Sequence, residues 1–216
     1  HMSRHVAADF DPDTMIFTIV MNDFDESIHG IHDIPYMMTL EVGADSVREI
    51  SPVADRNQSQ YDPRKRLLKK SALFSYFLYN LKLGHTVRAG SRKEPGGGYV
   101  DNTKPARIER HMEEIRRVVD HVVSAIAREN PGRRLIFVLD APRERIYSGG
   151  TEPYALEPLR LMTKEACSRS GIEVIDLEAP MTEDFREHGR RFSSEYDNHW
   201  DEYGHEIVAR TILGHI

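Results

Sequence analysis

Near the C-terminus, Tyr196-Asp197-Asn198-His199-Trp200-Asp201 sets a carboxylate and an imidazole two residues apart, just ahead of the helical pattern Glu206-Ile207-Val208-Ala209-Arg210-Thr211-Ile212-Leu213. An imidazole can take a proton from a hydroxyl, and a carboxylate on its other ring nitrogen fixes the tautomer and stabilises the imidazolium that forms. His199 and Asp197 are therefore a candidate general base and its orienting partner. Far upstream, Asn22 follows an apolar run, and a side-chain amide placed there can donate to an oxyanion. The same residue types have other uses. Asp197, His199, Asp201 and His205 offer the oxygen and nitrogen ligands of a metal hydrolase. A loop ion pair or a helix cap would employ Asp197 and His199 for structure alone, and Asn22 and Asp23 suit turn chemistry after a strand.

These residues need a frame to bring them together. Met15-Ile16-Phe17-Thr18-Ile19-Val20-Met21 is a continuous apolar run bounded by acidic turn signals, which predicts a strand buried on both faces. Arg134 to Leu139 reads the same way, and a shorter run from Ile172 to Asp176 follows Gly171. Between and after them lie helical patterns: Ile108, Met112, Ile115, Val119, Val122 and Ile126, with Pro105 in the first turn and Pro131-Gly132 as the stop; about Pro153 to Ser170; and a C-terminal helix with Tyr203, Ile207, Val208 and Ile212 inward. Alternating strands and helices predict an α/β fold, a three-layer, flavodoxin-like parallel sheet with flanking helices. In such sheets ligands bind beyond the carboxyl ends of the strands. Asn22-Asp23, Asp140-Ala141-Pro142 and the loop carrying Asp197 and His199 are thus expected on one rim.

The whole chain, 1–216, reads as a single domain, interrupted by an insertion at about 25–101. The insertion carries an amphipathic helix over about Pro63 to Leu83 and the loop Ser91-Arg92-Lys93-Glu94-Pro95-Gly96-Gly97-Gly98, and it is read as a lid over the site. A net charge of −6 with dispersed basic residues argues against nucleic acid as a partner. Cys167 is the only cysteine, which excludes an internal disulfide and a multi-cysteine metal site, and its helical setting predicts a core position. No apolar run is long enough to span a membrane. His1-Met2 has the form of a tag remnant, which leaves the compartment open.

Two segments resemble blocks of the SGNH/GDSL hydrolase superfamily. Pro12-Asp13-Thr14 running into the apolar strand that ends Met21-Asn22-Asp23-Phe24 is similar to block III. Asp197-Asn198-His199-Trp200 followed by Gly204-His205 is similar to block V in the form found in alginate-type O-acetyltransferase relatives, and Leu135 to Tyr147 is similar to the corresponding strand and loop. The likeness spans most of the chain outside the insertion. It implies ester hydrolysis or O-acyl transfer through a Ser-His-Asp triad, with His199 as base, Asp197 as its carboxylate and Asn22 as oxyanion donor, acting on a small-molecule or carbohydrate acyl ester. It implies no metal or organic cofactor.

The chain departs from the family pattern in two ways. Val20 stands where block III has glycine, and the residues ahead of Asp13 contain neither the Gly-Asp-Ser of block I nor the glycine of block II. Gly43-Ala44-Asp45-Ser46 imitates block I, but its place along the chain is wrong, and a hairpin or loop is the expected structure there. The serine is therefore not evident, and the chain is expected to form an incomplete SGNH fold corresponding to the C-terminal portion of the domain. Three strands in place of five would leave an open sheet edge, to be met by a homo-oligomer or a complementing N-terminal segment. The competing expectation is a non-catalytic carbohydrate-binding or assembly module on the same fold.

Overall fold

The computed structural model describes residues 2–31, 38–51, 103–150, 153–194 and 199–216, all within one compact unit that takes in 1–51 and 99–216. In chain order the described elements are α1 (Met2–Phe10), β1 (Thr14–Ile19), α2 (Asp23–Glu26), β2 (Thr39–Val42), β3 (Val47–Ile50), α3 (Pro105–Arg110) and α4 (Met112–Glu129). There follow β4 (Arg134–Leu139), α5 (Arg143–Tyr147), α6 (Glu157–Arg169), β5 (Glu173–Asp176), α7 (Glu178–His188) and α8 (Glu202–Leu213). The helix expected over Pro63 to Leu83 and the glycine-rich loop at 91–98 lie outside the described residues.

The three predicted strands form one parallel sheet in the order β1-β4-β5, with Thr14 to Ile19 in register against Arg134 to Leu139, and Ile136 to Leu139 against Glu173 to Asp176. Residues from Leu135 to Leu139 are all buried, because alternate side chains of β4 enter two different cores. On one face Leu135 and Phe137 join Met15, Ile115, Val119, Leu159 and Met162, with the Phe17 and Phe137 rings 5.3 Å apart. On the other, Ile136 and Val138 join Ile175, Met181, Phe192, Ile207 and Val208. The molecule is thus α/β, with helices α4 and α6 on one side of the sheet and α7 and α8 on the other. Cys167 lies in the first core and is fully buried, as expected.

Two expectations are corrected. β1 is not buried on both faces: Ile16, in register with the fully buried Ile136, is 42% exposed, and Thr14 and Thr18 are exposed with it. The layer containing α7 and α8 covers β4 and β5 and stops short of β1, which is the edge strand. The helical pattern from Pro105 also breaks into two, α3 and α4, at His111, whose backbone leaves the helical region (φ −112°, ψ 18°).

Residues 39–50 form the antiparallel hairpin β2-β3, and its Leu40, Val42 and Val47 pack on the first core. Ser46 lies in the turn of that hairpin, where its carbonyl accepts from the Gly43 N–H at 2.8 Å. The imitation of block I is thus a hairpin turn. α1 is held to this side by Arg4, which pairs with Glu49 at 2.8 Å and Glu129 at 2.7 Å.

Candidate functional site

His199 is placed by a short backbone pairing. The Ser194 N–H donates to the His199 carbonyl at 2.9 Å and the Asp201 N–H to the Phe192 carbonyl at 3.1 Å, framing an antiparallel bridge between Ser193 and Trp200. Side chains alternate along such a ribbon, so Ser193 and Trp200 share one side and Ser194 and His199 the other. The inward side is firmly held. The Ser193 and Tyr147 hydroxyls are 2.7 Å apart, the Phe192 N–H donates to the Tyr147 oxygen at 3.2 Å, and the indole of Trp200 packs on the second core. His199 is on the outward side and exposed.

Asp140 fastens this ribbon to the sheet. Its N–H donates to the Ile19 carbonyl at 3.0 Å, across from the end of β1. Its buried carboxylate accepts from the Ala141 N–H at 2.8 Å, Arg143 at 2.8 Å and Trp200 Nε1 at 2.9 Å. A buried carboxylate needs this many donors, since an unpaired charge there would be costly. The indole therefore reaches the carboxyl end of the central strand, and His199 immediately precedes it in the chain. The fully buried Arg160 completes the rim by donating to the Asp140 carbonyl, to Asp176 and, at 3.0 Å, to Glu178.

The start of α8 is built for close approach. Asp201 caps it, its Oδ1 accepting from the Gly204 N–H at 2.7 Å. A Cβ added at Gly204 would meet the Phe192 carbonyl oxygen at 2.5 Å and Trp200 Cβ at 2.9 Å, so only glycine fits there without displacing the ribbon. His205 is exposed, its ring edge-on to Trp200 at 5.4 Å. Among the described residues no group of three or more His, Cys, Asp or Glu is arranged to hold a metal ion.

At the end of β1, Asn22 occupies the N-cap position of α2, and its Nδ2 donates to Glu26 at 3.0 Å. Asp23 turns back on the chain, accepting from the Val20 N–H at 2.8 Å. Burial pushes the Asp23 carboxyl up from its ordinary value, against the pull of that N–H and aided by nearby Glu26. Asp25 is buried and paired with Arg107 at 2.7 Å, which ties α2 to α3.

Asn22 and the His199 ribbon are thus each attached within a few residues of the Ile19–Asp140 contact. Asp197 lies outside the described residues. Sequence reasoning missed Arg143, Tyr147 and Arg160; the signal for the last was an arginine on the apolar face of a helix, at Leu156-Leu159-Arg160-Met162-Thr163. Two open clefts flank α7, one lined by Arg145, Gly149, Thr182 and Phe185 and the other by Asp176, Thr182 and Glu183, and neither is lined by His199 or Asn22. Among the described residues, no helix is long and apolar enough to cross a membrane. No protein-family model, no curated protein and no solved structure matches this chain.

Proposed function

We propose that this chain is a serine-type esterase or O-acyltransferase of the SGNH kind, in which His199 and Asp197 are the acid–base part of a triad whose serine is not evident in the sequence, acting on acyl esters, those of carbohydrates included. One observation carries the reading: the indole of Trp200, bonded to Asp140, holds the His199 ribbon at the carboxyl end of the central parallel strand, where sheets of this class bind ligands. The order of parts agrees with it. The block III-like segment is an edge strand followed by Asn22, and the block V-like segment leads directly into the C-terminal helix α8.

In this reading His199 takes the proton of a serine hydroxyl as its oxygen attacks the acyl carbonyl, and Asp197 steadies the imidazolium. Asn22 has two amide hydrogens; one is given to Glu26, and the other is directed at the oxyanion. When the tetrahedral intermediate collapses, the proton passes from His199 to the departing alkoxide. Water or a sugar hydroxyl then takes the acyl group from the serine, which distinguishes hydrolysis from transfer.

The test is hydrolysis of p-nitrophenyl acetate by the full chain. The expected result is turnover insensitive to chelator and a kcat/KM roughly 100-fold lower in His199→Ala. Equal rates for the two proteins overturn the reading. Loss on chelation with recovery on adding zinc transfers the site to metal chemistry. The open edge of β1 favours a second reading, an assembly module on the same fold; a chain that turns over no ester yet self-associates or binds an oligosaccharide decides for it.

A further inference from the structure

Among the described residues the outer edge of β1 has no paired strand, and its pattern limits what could pair with it. The ladder to β4 is framed by Arg134 N–H to the Asp13 carbonyl at 2.9 Å and Asp140 N–H to the Ile19 carbonyl at 3.0 Å. Residues 13, 15, 17 and 19 therefore direct their backbone groups at β4, and Thr14, Ile16 and Thr18 direct theirs outward. Among the described residues no strand pairs with that edge. The side chains of Thr14, Ile16 and Thr18 are exposed as well, so the unpaired backbone and the bare face coincide. Edge strands are ordinarily blunted by lysine, proline or a bulge. Thr14-Met15-Ile16-Phe17-Thr18-Ile19 has no charge, no proline and no glycine.

We propose that β1 pairs with β1 of a second copy of this chain, antiparallel about a two-fold axis through Ile16, to give a continuous six-stranded sheet. The inference stands apart from the acyl-transfer reading. Only residues with outward backbone groups can form the new ladder, and the register centred on Ile16 uses all three of them. Thr14 then faces Thr18 of the second copy and Ile16 faces its own equivalent, while on the other side of the sheet Met15 faces Phe17. Asp13 falls opposite Ile19, so no like charges meet. The strand is thus self-complementary in polarity as well as in hydrogen bonding, which is what a two-fold interface requires.

The experiment is light scattering on the eluting full chain, joined to cysteine cross-linking. A dimer of twice 24.9 kDa is expected, reduced to monomer by Ile16→Lys. Thr18→Lys serves as a second variant, and circular dichroism checks that both still fold. Under mild oxidation Ile16→Cys cross-links to itself, since opposed residues in such a pair lie about 5.5 Å apart between Cα atoms. Thr14→Cys and Thr18→Cys cross-link only when mixed, and the buried Cys167 stays silent. A monomer at every concentration, a dimer unmoved by both lysine variants, or self-linking at Thr18→Cys in place of Ile16→Cys overturns the proposal. A monomer that captures a different polypeptide through this edge overturns it equally.

Discussion

His199 and Trp200 are neighbours with opposite fates, and the alternation of a two-stranded ribbon is the cause. Trp200 turns inward to bond Asp140, and that bond leaves His199 turned outward. The single tryptophan is therefore a reporter for the candidate site. Gly204→Ala forces a Cβ to within 2.5 Å of the Phe192 carbonyl oxygen. It is expected to shift Trp200 emission and to cost stability by about 1–3 kcal/mol, the range for overpacking, measured by denaturant unfolding. An unchanged emission spectrum would show that the ribbon does not depend on this contact. Cys167 supplies a second test at this scale. Burial alone pushes its thiol up to about 11, and the side chain is fully enclosed. A disulfide reagent at pH 8 should thus react at the rate of unfolding, and fast reaction of the native protein would contradict the packing.

Among the elements, the junction of α6, β5 and α7 is the most electrostatic. Burial disfavours charge on Asp176, yet the ammonium of Lys164, the Glu178 N–H and the Arg160 guanidinium outweigh it and hold the carboxyl below its ordinary value. The folded value being the lower one, this group's stabilisation is complete above the ordinary value of 3.8 and is lost as pH falls through the folded value. Asp176→Asn should therefore be less stable than the parent at neutral pH, by about 2 kcal/mol for a charge-assisted bond. The gap should narrow as the pH is lowered below 4, in urea unfolding at several pH values. A constant gap would mean that the loss is one of packing. β4 was legible in sequence, because an apolar run with no break has one satisfactory home, a strand covered on both sides. β1 has the same composition and a different environment. Composition reports that a strand avoids water, whereas the number of strands beside it decides whether it can.

Across the whole molecule, the order of strands and helices was readable from period and punctuation, and the parallel sheet followed from their alternation. Boundaries were less so. The pattern from Ile108 to Ile126 carried no mark of the break at His111, and α7 was missed because only Met181 of its apolar side chains is fully buried. For the site, the placing of Asp140 on the rim beyond the strand ends was anticipated from sequence. The ion network around Arg160 was not, since charges on three elements and a backbone carbonyl beyond β4 reveal their partnership only after folding. At this scale the two proposals separate cleanly: His199→Ala is read in ester turnover and Ile16→Lys in molecular mass, and neither substitution is expected to disturb the other property.

The pairing of β1 with β4 also bears on the order in which the molecule assembles. Thr14 meets Arg134, whereas Ile136 meets Glu173, so the first pairing closes a chain loop roughly three times as long as the second. Contacts near in sequence form early and distant ones late. The segment from β4 to α8 can therefore collapse as a nucleus around Ile136, Val138 and Ile175, and β1 adds afterwards to a surface already made. On this order β4, the most apolar of the three described sheet strands, is expected to present an open edge until β1 adds.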